Sequence, residues 1–247
     1  MVFFQQTSMT TVIGTLQSEM KGTSSTPTMS STDYQGGLVT HIKDPWECVA
    51  IEDFLPKERW EVIKNLGQIH LEKYYEIGVT TRDYEKPELA VRNKYSWYED
   101  EDIIPETNEL FYKYDLPYRE YQGKLKKIIH WAIAPPRWSY PAHCDNRARI
   151  STTILYVSPE KSDGTILHKN SSTNDEGDHE EADLPSDYTY ELEWKPNKAF
   201  FHNCIPNKTW HSISNETDSP RITLNSFFVQ EDLVLPNRLY SGHEITI

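Results

Sequence analysis

Cysteine is scarce in this chain. Cys48, Cys144 and Cys204 are the three present, odd in number and without C-x-x-C spacing, which excludes a disulfide framework and a zinc knuckle and fits a reducing compartment. No apolar run approaches the roughly 18 residues that a membrane-spanning helix needs. Positive charge is also short. Lys and Arg number 25 against 38 Asp and Glu, a formal net charge of −13, which disfavours non-specific binding to nucleic acid. Arginine is absent from the first forty residues, and that stretch has neither a basic start nor a continuous apolar segment. A signal or transit peptide is therefore not expected, and the expected location is cytoplasmic, with no nucleic-acid or membrane partner.

Aromatic residues are abundant by contrast, with 15 Tyr and 7 Trp in 247 residues. Large rings fill a core from few positions, so a hydrophobic content of only 37% still supports one domain of ordinary size. Residues 1–37 are rich in Ser, Thr and Gln, end in Gly36-Gly37, and read as a flexible tail with a short helix around Val12 to Met20. Residues 38–247 read as a single domain. It opens with WECVAIEDFLP (46–56), a strand leading into a turn. Pro56 stands where a first helical turn tolerates it, and Trp60, Ile63, Leu66 and Ile69 follow at helical spacing. A second helical stretch is expected from Pro105 to Lys127, broken near Leu116-Pro117.

From Lys127 the pattern changes to short β-like runs at 128–134, 148–157, 164–168, 188–194, 198–203, 209–214 and 221–229. Seven such runs separated by turn residues predict a mainly β fold with flanking helices, a jelly roll or double-stranded β-helix of cupin type. Between the third and fourth runs lies a polar, acidic stretch at 169–187, which reads as a surface loop.

The chemistry is concentrated in SYPAHCDNRARISTTILYV and NKTWHSISNETDSPRITLNSFFV. On a strand, His143 and Asp145 would point to one side and Cys144 to the other. Taken alone, H-x-D is explained by a solvated pair near a turn. Here a long apolar strand follows it, a second histidine, His211, opens another strand 66 residues after Asp145, and Arg221 starts a third ten residues later. Two histidines and one carboxylate on one face of a metal leave open positions suited to Fe(II), a bidentate oxoacid and O₂. Arg221 supplies a planar fork that can hold a carboxylate inside a barrel, where an unpaired charge would be costly.

These segments resemble the 2-oxoglutarate/Fe(II) dioxygenase superfamily, most closely its prolyl-4-hydroxylase-like branch, over roughly Trp46 to Val229. The likeness is carried by AIEDFLP before the first helix, Tyr140-x-x-His143-x-Asp145, RISTTILYVSP, DGTILH and TWHS, with a basic residue ten positions on. The resemblance implies that His143, Asp145 and His211 ligate iron and act as the catalytic centre. It further implies that Arg221 binds the C5 carboxylate of 2-oxoglutarate and that Tyr140 donates to the same co-substrate. Thr223, two residues past Arg221 on the same face, is a further candidate to hold that carboxylate. The branch often has Lys where Arg221 stands, and Gly-Gly where this chain has Asp163-Gly164.

The implied reaction consumes 2-oxoglutarate and O₂, releases succinate and CO₂, and takes hydrogen from an unactivated C–H bond. Asp145 disfavours halogenation, because related halogenases lack that carboxylate. Arg147 and Arg149 alternate with the H-x-D pair and are candidates to receive a substrate carboxylate, with rim ion pairs as the competing explanation. Hydroxylation of a small carboxylated or amino-acid-like molecule is the leading expectation. An oxidative cyclase or desaturase, as in kainoid-type ring formation, and a peptidyl hydroxylase are alternatives within the family. A cupin-like metal-binding protein without oxygenase activity is the alternative outside it, and Arg221 argues against that one.

Overall fold

The computed structural model describes residues 37–76, 103–169 and 189–230, apart from positions 115, 118, 119, 122 and 146. The helix expected at 12–20, the tail and residues 170–187 of the acidic stretch lie outside the described residues. Two short strands come first, β1 (Val39–Ile42) and β2 (Cys48–Ile51), followed by helices α1 (Lys57–Glu76) and α2 (Glu106–Lys113). Eight strands follow: β3 (Leu125–Ala134), β4 (Trp138–His143), β5 (Arg149–Ser158), β6 (Thr165–His168), β7 (Thr189–Leu192), β8 (Ala199–Asn203), β9 (His211–Asn215) and β10 (Arg221–Gln230). They form two sheets of antiparallel pairs, six strands in the order β1-β2-β8-β5-β10-β3 and four in the order β4-β9-β6-β7. Two facing sheets of this kind make the expected jelly-roll core.

Pro56 begins α1 as anticipated, its carbonyl accepting the Trp60 amide at 2.8 Å. The second helical stretch is shorter than its periodicity implies. It stops at Lys113, and residues 125–127, expected to be helical, are already strand. The reason is tertiary: β10 is ten residues long and pairs with all of Leu125–Ala134, so the sheet takes up a segment whose own sequence is ambiguous. Gly123 (φ 85°) makes the turn into it.

The central strands of the six-stranded sheet are covered on both faces, which is why β2, β5, β8 and β10 are buried at nearly every position. Val49, Ile51, Trp131, Ile133, Leu155, Val157, Ala199, Phe201, Ile222 and Leu224 face α1 and α2, meeting Ile63, Ile104 and Leu110. Gly67 brings α1 close enough that a Cβ there would press on Val157 at 2.8 Å. The alternate residues Cys48, Ala50, Ile154, Tyr156 and Phe200 form the second cluster with Leu167, Leu192 and Trp194 of the facing layer. Each fully buried Ile, Leu or Phe contributes roughly 1.5–3 kcal/mol. The same inner face carries Arg221, Thr223, Asn225 and Phe227, which line a pocket between the sheets.

No helix among the described residues is long and apolar enough to cross a membrane.

Candidate functional site

β4 and β9 deliver the two histidines. His143 and His211 are register partners across this ladder, with ring centroids 4.3 Å apart. Above them the register slips, because Tyr140 pairs with Ile213 while three residues on β4 match two on β9. Pro141, which has no amide proton to give the ladder, lies in this irregularity. Strict alternation would put Tyr140 and His143 on opposite faces. The bulge puts both in the pocket, and it turns Ala142 and Cys144 onto Trp210 instead.

Asp145 is not on a strand. β4 ends at His143, and Asp145 follows in irregular chain, so its approach to the histidines does not come from the strand alternation the sequence had indicated. Ligand atoms of His143, Asp145 and His211 nevertheless lie within 4.8 Å of one another, all three residues buried. His143 Nδ1 lies 3.0 Å from the Pro141 carbonyl and His211 Nδ1 3.0 Å from the Thr209 carbonyl. A carbonyl only accepts, so each Nδ1 carries the proton and each Nε2 presents a lone pair, as metal-ligating histidines do. This is a two-histidine, one-carboxylate triad.

Around Asp145 the side chains are donors. Arg149 Nη1 donates to Oδ1. Thr152 Oγ1 (2.8 Å) and Cys204 Sγ (3.2 Å) donate to Oδ2. Burial would raise the Asp145 carboxyl, but Arg149, with His211, His202 and His143 close by, outweighs it and holds the group well below its ordinary range. Asp145, His202 and Cys204 form a second group of donor atoms within 4.8 Å that shares this carboxylate. Burial pushes the Cys204 thiol up, so it meets Asp145 as an S–H donor, not as a thiolate ligand.

At the other end of the pocket stands Arg221, 2% exposed. Its Nη2 donates to Thr165 Oγ1 at 3.2 Å, and its guanidinium carbon lies 4.9 Å from the Trp194 ring and 5.3 Å from that of Tyr156. Burial lowers its pKa. Among the described residues its Nε has no hydrogen-bond partner and no carboxylate lies within 4 Å of it. A buried guanidinium that lines a pocket and has no carboxylate within 4 Å among the described residues suits an anion there. The cavity between the two ends holds ≈ 110 Å³.

Tyr140 and Thr223 line the same pocket, Tyr140 edge-on to His143 at 4.5 Å. The two arginines considered for substrate separate. Arg149 lines the pocket but is engaged with Asp145 and lies over the Phe227 ring at 3.7 Å, whereas Arg147 is exposed and not in the lining. Sequence reasoning did not single out Thr152, Cys204, Thr165, Asn225 or Phe227. Asn225 and Phe227 were accessible in principle, since they continue the i, i+2 series from Arg221 and Thr223. Thr152 and Cys204 were not, because they meet only through the β5–β8 pairing.

No family model and no curated protein matches this chain. Solved structures do. A Pseudomonas putida prolyl-4-hydroxylase is similar at 12% identity over 74% of this chain and 84% of its own, with a TM-score of 0.45. The viral collagen prolyl hydroxylase of Paramecium bursaria Chlorella virus-1, solved as a 2-oxoglutarate complex, is similar at 14% identity over 73% and 93%, TM-score 0.43. The α-ketoglutarate-dependent epimerase SnoN of nogalamycin biosynthesis is similar at 12% identity over 74% and 78%, TM-score 0.42. With scores below 0.5, the functional reading rests on the site's own residues.

Proposed function

We propose that this chain is a non-haem Fe(II) oxygenase that uses 2-oxoglutarate and O₂ to oxidise a C–H bond of a small molecule, with hydroxylation as the outcome. The observation that carries the reading is the pairing of two features across one pocket. Two histidine lone pairs converge with a buried carboxylate, and a buried guanidinium without a carboxylate partner among the described residues faces them. Neutral imidazoles and a hard carboxylate suit Fe(II), and a facial triad leaves positions for a bidentate oxoacid and O₂.

His143, Asp145 and His211 would hold the iron, and Arg221, flanked by Thr223 and Tyr140, would hold the distal carboxylate of 2-oxoglutarate. When bound, iron with 2-oxoglutarate and O₂ supplies an oxidant strong enough to take hydrogen from an unactivated C–H bond, leaving succinate and CO₂. The chain's own share is positioning. The Pro141 and Thr209 carbonyls fix the tautomer and plane of each imidazole. Thr165, Tyr156 and Trp194 keep the Arg221 fork turned to the pocket, and Trp138, Ile213 and Phe227 limit water at its wall.

The test is succinate formation from 2-oxoglutarate by the protein with Fe(II) and ascorbate, first without substrate and then with a panel of amino-acid-like acids. A product heavier by one oxygen supports hydroxylation, and loss of two hydrogens marks ring closure or desaturation. No uncoupled turnover, together with no 2-oxoglutarate binding by the metal-loaded protein, would overturn the reading.

A further inference from the structure

Asp145 stands beyond the last residue of β4, so no backbone ladder orients it. Its placement depends on the side chains that grip it, and these come from β5 and from the end of β8: Arg149 on one oxygen, Thr152 and Cys204 on the other. Arg149 reaches it through an irregularity in β5. Along that strand Thr152, Ile154 and Tyr156 face the pocket side, and strict alternation would send Arg149 to the opposite face with Leu155 and Val157. The β10 register, however, passes from Phe228↔Ser151 directly to Val229↔Arg149, skipping Ile150. One extra residue reverses the parity and brings Arg149 onto the pocket face. There the guanidinium carbon lies over the Phe227 ring, 3.7 Å from its centroid, so the ring is a platform that limits where the group can donate.

We propose that Arg149 is a positioning residue that sets the orientation of the Asp145 carboxylate for metal binding, and that it does not serve as a substrate receptor. This rests on the reading of His143, Asp145 and His211 as a metal site, but its test needs no turnover. A positive charge beside a divalent cation repels it. If Arg149 were a bystander, replacing it by a neutral residue would tighten metal binding, and replacing it by lysine would change nothing. A clamp predicts the opposite sign. Losing the Arg149 donor leaves Oδ1 of Asp145 unheld while Thr152 and Cys204 keep Oδ2, and outer-partner losses of this kind typically cost roughly 10–100-fold in metal affinity.

The experiment is titration of the full chain with Mn(II), read by electron paramagnetic resonance, for the unsubstituted protein, Arg149→Lys, Arg149→Gln and Phe227→Leu, with thermal melting as the check of folding. Both Arg149 variants are expected to bind Mn(II) about 10–100-fold more weakly, with a changed line shape for the bound ion. Phe227→Leu keeps the donor but removes its platform, and should weaken binding several-fold. It also keeps the proposal testable if the Arg149 variants fail to fold. Tighter binding by Arg149→Gln, or unchanged affinity in Arg149→Lys or in Phe227→Leu, would overturn the proposal. Failure of the unsubstituted protein to bind Mn(II) would overturn the metal reading on which it stands.

Discussion

His143 and His211 face each other directly across the β4–β9 ladder, and each is tied by its Nδ1 proton to the carbonyl two residues before it, Pro141 and Thr209. The two lone pairs are thus held convergent by backbone, while the carboxylate that joins them is held by side chains. The two kinds of support respond differently to substitution.

His143→Ala, His211→Ala and Asp145→Ala should each reduce Fe(II) or Mn(II) affinity by more than the roughly 10–100-fold expected for loss of an outer partner. Calorimetric titration checks this. The fold should survive, since the hydrophobic clusters on both faces of the six-stranded sheet include none of these side chains.

Arg221→Met separates binding from stability. Loss of a buried, charge-assisted partner should weaken 2-oxoglutarate by about 2–5 kcal/mol, roughly 30-fold or more. Removing a buried guanidinium with no carboxylate within 4 Å among the described residues should leave the melting temperature of the ligand-free protein unchanged or raise it. Addition of 2-oxoglutarate with metal should raise the melting temperature of the unsubstituted protein and not that of the variant.

His202 makes stability depend on pH. It is fully buried, its ring stacked on Phe200, and burial, with His211 nearby, lowers its pKa from 6.5 to about 4. Between those values the unfolded chain binds the proton and the folded chain does not. Stability is therefore whole above pH 6.5 and falls as the pH drops towards 4, by about 3 kcal/mol in all. Urea denaturation of the metal-free protein at pH 7.5, 5.5 and 4.5 should show this decline, and His202→Gln should flatten it.

Gly164 precedes Thr165, the partner of Arg221, and a Cβ there would collide with the Leu192 carbonyl across β6 and β7. Gly164→Ala should destabilise the protein by roughly 1–3 kcal/mol. Because Thr165 moves with it, the variant should also bind 2-oxoglutarate more weakly, measured as a higher KM.

Much of this was legible in the chain itself. Eight of the ten strands among the described residues and the start of α1 just after Pro56 follow from local properties such as alternation and turn residues, and the chemistry of their donor types singled out His143, Asp145, His211 and Arg221. Those properties travel with the residues and need no partner. What the sequence could not determine is parity and pairing. Alternation counted from His143 puts Asp145, Arg147 and Arg149 on one face and Tyr140 on the other. A bulge at Pro141–Ala142 reverses that count for Tyr140, which joins His143 in the pocket, and a bulge at Ile150 puts Arg149 on the same face as Thr152, where both meet Asp145. A bulge changes every side-chain direction beyond it by inserting one residue against a neighbouring strand, and the neighbour lies far away in sequence. For the same reason Lys127 belongs to a strand and not a helix, and Cys204 and Thr152 share one carboxylate oxygen. Local chemistry determined which residues could hold a metal and an anion, and the pairing of distant strands decided how they are held.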